Sequence, residues 1–243
     1  MDSLKPGKPN LVIVPTYNEA ENINRLLFEV IRDVPNVEVL VVDDNSPDGT
    51  RDIVTRFMQH EPRVHILNRA KKDGLAAAYI AGFQWGLDRN YDIIIEMDAD
   101  FSHRPSDVNR LLESLKTNDV AVGCRYTEGG GISGWGFLRQ FISRGGNYYA
   151  RFILGLPVQD LTGGFNAWKR AVLEKIDIHT IRSQGYSFQV ELKFRALKNK
   201  FTLQEVPIHF QNREHGYSKM SGRIVWEAAF RVLQMRRNQA PKA

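Results

Sequence analysis

Short runs of apolar, often β-branched residues alternate with amphipathic stretches through the first 125 residues. The apolar runs predict strands over residues 11–15, 37–42, 63–67, 92–97 and 120–123. Between them, apolar residues recur at helical spacing and predict helices over residues 19–33, 50–60, 75–87 and 106–116. Strands that alternate with helices are typical of a parallel sheet with helices on both faces. The pattern therefore predicts an α/β, Rossmann-like fold with a mostly parallel sheet.

The second half of the chain has a different pattern. Five glycines between residues 128 and 136 indicate a flexible loop. Beyond it, the pattern predicts an amphipathic helix over residues 137–154, a turn over 160–165, a helix over 188–198, a strand over 202–210 and a last amphipathic helix over 223–237. No linker, internal repeat or low-complexity tract separates the two halves. We therefore expect a single domain over residues 1–243.

Composition limits the class of protein. The apolar content of 42% and the charged content of 25% are ordinary for a globular protein. The single cysteine, Cys124, excludes a disulfide within the chain and a cysteine-based zinc site. No run of about 18 apolar residues predicts a membrane-spanning helix, and residues 1–10 lack the apolar core of a secretory signal. These features lead us to expect a cytoplasmic protein.

The positive charge of the chain is concentrated near its C-terminus. Residues 201–243 contain seven Lys and Arg against three Asp and Glu, so they account for most of the net charge of +5. This asymmetry suits a surface that faces phosphates or anionic lipids. The chain has no recognisable nucleic-acid-binding motif, so we expect no nucleic-acid partner.

Polar residues directly follow three of the predicted strands, at residues 15–19, 43–46 and 98–100. Ligands of a parallel α/β sheet bind at the carboxyl ends of its strands, so we expect these clusters to converge. Asp98 and Asp100 lie two residues apart on an extended chain and point the same way. They could bind Mg²⁺ or Mn²⁺ together with phosphate oxygens. Taken alone, each cluster also fits a turn that begins a helix.

Two groups of cations accompany these carboxylates. Arg213 and Lys219 lie in the loop after the last predicted strand, while Arg125, Arg139 and Arg144 flank the glycine-rich loop. Arginine and lysine can neutralise the charge that develops on a departing diphosphate. The alternative is a solvated basic loop. The motifs of P-loop, dinucleotide-binding, zinc-protease and serine-hydrolase sites are absent, which narrows the chemistry.

Together these segments resemble the glycosyltransferases of family 2 with the GT-A fold, and among them the polyprenol-phosphate or dolichol-phosphate mannose synthases. The resemblance rests on VPTYNEAENI at residues 14–23, VVDDNSPDGT at 41–50, MDADFSH at 97–103, RY at 125–126, SRG at 143–145, DLTGGF at 160–165 and REHGYSK at 213–219. These motifs occur in order and span residues 14–219. Asn45 and Ala76 stand where glycine is usual in the family.

The resemblance implies roles for particular residues. Residues 1–125 would form the nucleotide-sugar-binding half, and residues 126–243 the acceptor-binding half. The implied guanosine pocket consists of Pro15, Tyr17, Glu19, Val42 and Asp44. The implied donor and metal site consists of Asp98, Ala99, Asp100 and Ser102. Arg125, Arg139 and Ser143 would bind the acceptor phosphate, and Arg213 and Lys219 the donor diphosphate. The catalytic group would be Asp100, Arg125, Arg213 and Lys219.

The implied reaction is transfer of mannose from GDP-mannose to a polyprenyl (dolichyl-type) phosphate with inversion, aided by a divalent metal, Mg²⁺ or Mn²⁺. A phosphate acceptor is already ionised at neutral pH, so no side chain has to remove a proton. Family members without fused membrane helices work at the cytosolic membrane surface, alone or with a membrane-anchoring subunit. We therefore expect a peripheral location on the cytosolic face.

Three alternatives stay open. The donor could carry glucose or N-acetylglucosamine in place of mannose. A hydroxyl acceptor would require a base, for which Glu191 is the candidate, although a charge on the surface of a helix is the favoured interpretation of that residue. The third alternative is a basic lipid- or nucleic-acid-binding module without turnover, and the retention of both Asp98 and Asp100 argues against it.

Two helices combine aromatic residues with arginines, as interfacial membrane helices do. The helix over residues 137–154 contains Phe141 and Arg144, and the last helix contains Phe230 beside Arg236 and Arg237. The alternative is that both apolar faces pack on the sheet. A lipid acceptor favours membrane contact, so we expect the chain to bind anionic membrane surfaces.

Overall fold

The computed structural model describes residues 9–212 and 222–237. Within them the strands are Asn10–Thr16 (β1), Val37–Asp43 (β2), Val64–Asn68 (β3), Ile93–Glu96 (β4), Val120–Cys124 (β5), Gly131–Ile132 (β6), Asn166–Lys169 (β7), Leu203–Pro207 (β8) and His209–Phe210 (β9). The α-helices are Ile23–Asp33 (α1), Thr50–Met58 (α2), Leu75–Asp88 (α3), Asp107–Ser114 (α4), Phe137–Leu154 (α5), Arg170–Lys175 (α6), Gly185–Lys198 (α7) and Gly222–Arg237 (α8). The predicted helices and strands therefore exist, with some shifted ends.

Seven strands form one sheet in the order β3-β2-β1-β4-β7-β5-β8. The pairs β1–β2, β1–β4, β2–β3 and β5–β8 are parallel, whereas β7 runs antiparallel between β4 and β5. Strands β6 and β9 form a separate parallel pair. The predicted mostly parallel α/β fold is confirmed.

Both faces of the central strands are buried, which explains why β1, β2 and β4 are nearly continuous apolar runs. In β1, Val12 and Val14 join the core that contains residues of α1, α2 and α4. Leu11 and Ile13, which alternate with them, join the opposite core with residues of α3, α6 and α7. Successive side chains of a strand point to opposite faces, so this one run of residues supports both layers of helices.

Helix α3 lies unusually close to the sheet because of a glycine in its middle. A Cβ added to Gly82 would lie 2.7 Å from Cγ2 of Ile13 and 3.3 Å from Cγ2 of Val42. A larger residue here would push α3 away from β1 and β2. The close contact also fixes Tyr79, one turn earlier in α3, which is 0% exposed.

Two features of the sheet differ from the prediction. Strand β7 was not predicted, because it has only four residues and Asn166, Ala167 and Trp168 are all buried. Such a strand shows no alternation of polar and apolar positions. The predicted strand over residues 202–210 is two strands, since Ile208 donates its N–H to the carbonyl of Cys124 and the next two residues pair with β6.

The predicted C-terminal helix exists as α8 and packs with α5 and α7 around a third core. Ala150 and Leu154 of α5, Phe194 of α7, and Val232 and Met235 of α8 belong to this core. Among the helices of the described residues, none has both the length and the apolar character needed to cross a bilayer.

Candidate active site

The carboxyl ends of β1, β2 and β4 bring the three predicted polar clusters to one edge of the sheet. The N–H of Asp44 donates to the carbonyl of Thr16 at 3.0 Å, which joins the ends of β1 and β2. The N–H of Met97 donates to the carbonyl of Ile13 at 3.1 Å, which joins β1 to the segment after β4. The expected convergence of these segments is therefore present.

Asp43 stabilises the turn after β2. Its buried carboxylate accepts hydrogen bonds from Oγ1 of Thr16 at 2.9 Å and from the N–H and Oγ of Ser46 at 2.9 and 2.6 Å. These bonds are those of a local turn, and Asp43 is 0% exposed. Asp44 is therefore the carboxylate that faces the edge of the sheet.

Asp44 is covered by the segment between β3 and α3. Its Oδ1 accepts a hydrogen bond from Nη1 of Arg69 at 2.6 Å. Burial raises the pKa of Asp44, and the charge of Arg69 opposes that rise. In the same segment, Nζ of Lys72 lies 3.3 Å from the centre of the Tyr17 ring. One segment thus brings Arg69 to the Asp44 carboxylate and Lys72 to the Tyr17 ring, and the implied role of these residues in binding a nucleoside stays a prediction.

The other residues of the implied nucleotide pocket lie nearby but differ in whether the side chain is accessible. Pro15 pairs with Val42 in the register of β1 and β2. The side chain of Val42 belongs to the core and is 0% exposed, so only its backbone could contact a donor. Glu19 accepts a hydrogen bond from Nδ2 of Asn22 at 2.9 Å and lies in the turn before α1. This turn explains why α1 begins at Ile23 and not at residue 19.

The predicted metal ligands lie together after β4. Oδ1 of Asp98 accepts a hydrogen bond from the hydroxyl of Tyr79 at 3.3 Å. Oδ1 of Asp100 accepts one from the N–H of Ser102 at 3.1 Å. Ala99 between the two carboxylates is 3% exposed, so its side chain packs inward. The positions of both carboxylates are thus set by buried groups.

These residues fit a divalent cation that also binds substrate oxygens. Oγ of Ser102 is buried and has no hydrogen-bond partner among the described residues. Two carboxylates and a hydroxyl are ligands that Mg²⁺ and Mn²⁺ accept, and such sites take further oxygens from a diphosphate. No set of three or more His, Cys, Asp and Glu side chains suited to a metal occurs within residues 9–212 and 222–237.

Arg125 is held at the end of β5 by a buried carboxylate. Its Nε and Nη2 donate to the two oxygens of Asp160, both at 2.7 Å, and Nη2 also donates to Oγ1 of Thr162 at 3.1 Å. Asp160 is 0% exposed and Arg125 is 8% exposed. The charge of Arg125 keeps the pKa of Asp160 below its usual value despite burial. This pair fixes the guanidinium in one orientation.

Arg139 and Ser143 of α5 are linked to Arg125 through two aromatic residues, and their implied contact with an acceptor phosphate stays a prediction. The guanidinium of Arg139 lies 4.0 Å from the centre of the Trp135 ring, and that of Arg125 lies 5.5 Å from the same ring. Oγ of Ser143 is 2.7 Å from the hydroxyl oxygen of Tyr126, which follows Arg125 in the chain. Both arginines therefore lie against one tryptophan, and Ser143 is hydrogen-bonded to the residue that follows Arg125.

Aromatic rings connect the metal site to this group of cations. The His103 ring, one residue after Ser102, lies 4.8 Å from the Phe165 ring and 5.4 Å from the Phe210 ring. The Phe210 ring lies 5.5 Å from the Arg125 guanidinium. The His103 and Phe210 rings thus link the segment after β4 to the arginine that follows β5.

Two predicted site residues, Arg213 and Lys219, lie outside the described residues. The chain enters that segment next to the site. The N–H of Gln211 donates to the carbonyl of Ser102 at 3.2 Å, and Oδ1 of Asn212 accepts a hydrogen bond from Nη1 of Arg139 at 3.3 Å. Their implied contact with a donor diphosphate stays a prediction.

The interpretation of Glu191 as a charge on the surface of a helix is wrong. Glu191 is 8% exposed and its carboxylate accepts hydrogen bonds from Oγ of Ser183 and Nη2 of Arg195. Helix α7 is covered by neighbouring segments on more sides than its amphipathic pattern indicates. These bonds join α7 to the segment before it, so Glu191 has a structural role.

Sequence reasoning missed a set of buried polar residues behind the site. Glu96, Asn166, Gln189 and Lys193 are each 0–2% exposed. Burial raises the pKa of Glu96, although three hydrogen bonds oppose the rise, and burial lowers the pKa of Lys193 to about 8. The sequence does contain a signal for Glu96, because it is a polar residue at the end of an apolar strand and directly precedes the Asp98 motif. Nothing in the helical pattern distinguishes Lys193 from a surface lysine.

Comparisons with known sequences agree on one family. The model described as Glycosyl transferase family 2 matches residues 11–177. Polyprenol monophosphomannose synthase of Mycolicibacterium smegmatis is 46% identical over 234 residues, which cover 96% of this chain and 88% of the relative. Undecaprenyl-phosphate mannosyltransferase of Micrococcus luteus is 48% identical over 224 residues, which cover 92% of each chain.

Solved structures share the fold. Glucosyl-3-phosphoglycerate synthase from Mycobacterium tuberculosis, in complex with phosphoglyceric acid, superimposes with a TM-score of 0.71 at 17% identity and covers 97% of this chain and 82% of its own. A complex of that enzyme with Mn²⁺, uridine diphosphate and glucosyl-3-phosphoglycerate gives a TM-score of 0.68 at 18% identity, with the same coverage. This likeness confirms the predicted GT-A fold.

Proposed function

Since this chain belongs to glycosyl transferase family 2, we propose that it transfers mannose from GDP-mannose to a polyprenyl phosphate with inversion at the anomeric carbon. The products are polyprenyl phosphate mannose and GDP. The names of the two similar sequences, a polyprenol monophosphomannose synthase and an undecaprenyl-phosphate mannosyltransferase, support the acceptor and the sugar. The mannosyl group moves from the donor diphosphate oxygen to an acceptor phosphate oxygen, so one C–O bond breaks as another forms.

The observation that carries this proposal is that Arg125 and Arg139 both lie against the Trp135 ring and that Ser143 is hydrogen-bonded to the residue after Arg125. The Asp98 and Asp100 carboxylates follow β4 of the same sheet as β5, which precedes Arg125. A phosphate acceptor needs cations to overcome repulsion from the donor diphosphate, and it needs no base. The arginines lie around the Trp135 ring, as described above. An acceptor phosphate bound there would lie next to the donor end of the site, with its attacking oxygen held in place.

Two buried carboxylates of the described residues, Asp160 and Glu191, are unsuited to act as a base. Asp160 accepts hydrogen bonds from Nε, Nη2 and the N–H of Arg125 and from the N–H of Gly163, so its oxygens are already used. Glu191 is engaged with Ser183 and Arg195. This arrangement favours an acceptor that is already ionised over a sugar hydroxyl.

On the donor side, Asp98, Asp100 and Ser102 would hold a divalent cation, Mg²⁺ or Mn²⁺. When bound, such a cation offsets negative charge on the departing diphosphate. Tyr79 and the Ser102 N–H hold the two carboxylates in place before the donor arrives. Asp44, Tyr17 and Lys72 would bind the nucleoside, and Arg213 and Lys219 would add positive charge at the diphosphate.

The sugar nucleotide that the protein uses as donor tests this proposal against the alternative of transfer of glucose or N-acetylglucosamine. Purified protein should transfer labelled mannose from GDP-mannose to a polyprenyl phosphate, and UDP-glucose and UDP-N-acetylglucosamine should neither replace the donor nor compete well with it. The measurement is radiolabel recovered in the organic phase. Efficient transfer from either uridine donor, with none from GDP-mannose, would show that the assigned sugar is wrong.

We also propose that α5 rests on the membrane that contains the acceptor. Its buried residues Asn147, Ala150 and Leu154 lie on one face. The opposite face exposes Phe137, Phe141, Tyr148 and Phe152 by 66–86%. The same helix contributes Arg139 and Ser143 to the site. A helix with an apolar outer face and flanking arginines is suited to the surface of an anionic bilayer, and this one would place the lipid phosphate beside Arg125.

Replacing Phe141 with Glu should weaken binding to anionic liposomes at least about tenfold, because one buried phenyl group is lost and a charge is introduced. Flotation at low and high salt measures this binding, which should also decrease with salt. The matched control is Phe28→Glu in α1, where the phenylalanine is 57% exposed but lies away from α5. Equal loss in both variants, or no binding by the unmodified chain at low salt, would remove α5 as the contact.

A further inference from the structure

The loop over residues 159–164 is partly buried although it has no regular structure. Asp160 and Leu161 in this loop are 0% exposed. Backbone groups in a buried loop must find partners within the protein, because water cannot reach them. Side chains from several elements supply these partners, and together they fix the position of the loop.

The N–H groups of residues 159–162 are held in pairs. Oε1 of Glu205 in β8 accepts hydrogen bonds from the N–H groups of residues 159 and 160, both at 2.8 Å. Oδ1 of Asn147 in α5 accepts hydrogen bonds from the N–H groups of residues 161 and 162, at 2.8 and 3.1 Å. The N–H of Gly163 donates to the Asp160 carboxylate at 3.0 Å. One side of the loop is thus fixed by α5 and β8.

The carbonyl groups of the same loop are held from α7. Nζ of Lys193 donates to the carbonyl of Gly163 at 2.7 Å and to that of Leu161 at 3.2 Å. The Lys193 side chain is 0% exposed, which is rare for lysine. The negative charges of Asp160 and Glu96 favour its ammonium form and so reduce the cost of burying it.

The position of the loop determines that of Arg125. Asp160 accepts two hydrogen bonds from the guanidinium and Thr162 accepts another. Both residues belong to the loop that Lys193 holds, so a displaced loop would move or release the guanidinium. Lys193 reaches the acceptor side of the site only through this loop.

The same face of α7 contacts the donor side. Nε2 of Gln189, one turn before Lys193, donates to Oε1 of Glu96 at 2.8 Å. Glu96 is the last residue of β4, two positions before Asp98. One buried helix face therefore holds both the strand that ends at the metal ligands and the loop that orients Arg125.

We propose that Lys193 is a positioning residue for the transfer reaction, which fixes Arg125 for the acceptor phosphate by holding the carbonyl groups of Leu161 and Gly163. This inference rests on the proposed use of a polyprenyl phosphate as acceptor. Lys193 touches neither substrate. Its loss should therefore affect use of the acceptor much more than binding of the donor.

The test compares Lys193→Met with the control Lys198→Met, an exposed lysine of the same helix. In Lys193→Met, we expect the KM for polyprenyl phosphate to rise about tenfold while the Kd for GDP-mannose, measured by calorimetry without acceptor, changes less than about twofold. Lys198→Met should behave like the unmodified chain. Partial unfolding would lower kcat and leave the acceptor KM unchanged, so the rise in KM distinguishes positioning from lost structure.

A second pair of variants tests the same loop if Lys193→Met does not fold. Glu205→Ala removes the acceptor of two loop N–H groups, whereas Glu205→Gln keeps an oxygen that can accept both. We expect Glu205→Ala to raise the acceptor KM and Glu205→Gln to leave it near the original value. An unchanged acceptor KM in folded Lys193→Met, or in Glu205→Ala where the first variant is unfolded, overturns the inference. The proposed function itself fails separately, if the unmodified chain makes no lipid-linked mannose in the same assay.

Discussion

Replacing Asp100 with Asn is expected to lower the turnover of the proposed mannosyl transfer on the order of 100-fold or more, because one of the two carboxylates proposed to hold the metal is lost. The change preserves the size of the side chain. An asparagine oxygen can still accept the hydrogen bond from the Ser102 N–H, so the loop should keep its conformation. The kcat at saturating donor and Mn²⁺ measures the effect, and the thermal unfolding temperature checks the fold.

The control for this variant is Asp92→Asn. Asp92 is an exposed carboxylate at the opposite end of β4, so its neutralisation changes the charge of the chain equally without touching the site. We expect it to retain full turnover. Full metal-dependent activity in Asp100→Asn would show that the carboxylates after β4 do not serve the donor.

Replacing Asp160 with Ala is expected to reduce the free energy of unfolding by about 3–5 kcal/mol at neutral pH, because it leaves the Arg125 charge buried without its partner. Urea unfolding measures this loss. The control Glu113→Ala breaks the pair with Lys116, whose side chains are 69% and 68% exposed. Exposed pairs contribute at most about 1 kcal/mol, so this variant should be nearly as stable as the unmodified chain.

The stability that Asp160→Ala loses relative to the unmodified chain should depend on pH in a definite direction. The pKa of Asp160 is lower in the folded protein than its ordinary value. Its contribution to stability is therefore present at neutral pH and is lost as the pH falls through that folded-state pKa. The difference between the unmodified chain and Asp160→Ala should shrink in acid. Equal destabilisation in Asp160→Ala and Glu113→Ala at neutral pH would contradict the assignment of a buried pair.

The sequence predicts the parts of the fold in which apolar residues follow a clear pattern. In β1, the continuous apolar run predicts a strand buried on both faces, and the structure places Leu11 and Val12 in opposite cores. The helix over Phe137–Leu154 is predicted with its observed bounds because apolar residues and arginines recur along it. Strand β7 has no such period, and its pairing between β4 and β5 depends on distant residues.

The residues of the site also divide into those with a local sequence signal and those that depend on distant contacts. Asp98, Asp100, Arg125 and Ser143 were predicted because they follow strands or match motifs. The partner of Arg125 could not be predicted, since Asp160 lies 35 positions away and meets it only after β5 and β7 have paired. Lys193 was missed, and Glu191 was wrongly interpreted as a surface charge, for a related reason. Helical spacing shows which face of α7 is apolar, but it does not show that the polar residues are also covered.

The measurement that tests the central claim most directly compares polyprenyl phosphate with the corresponding polyprenol as acceptor for GDP-mannose. We predict that only the phosphate yields lipid-linked mannose, that the anomeric configuration of the product is inverted when examined by NMR, and that EDTA abolishes transfer until Mg²⁺ or Mn²⁺ is restored. The requirement for the phosphate would follow from the ionised acceptor that Arg125 and Arg139 are proposed to bind. Transfer to the unphosphorylated polyprenol at a comparable rate, or retention of configuration, would contradict the account.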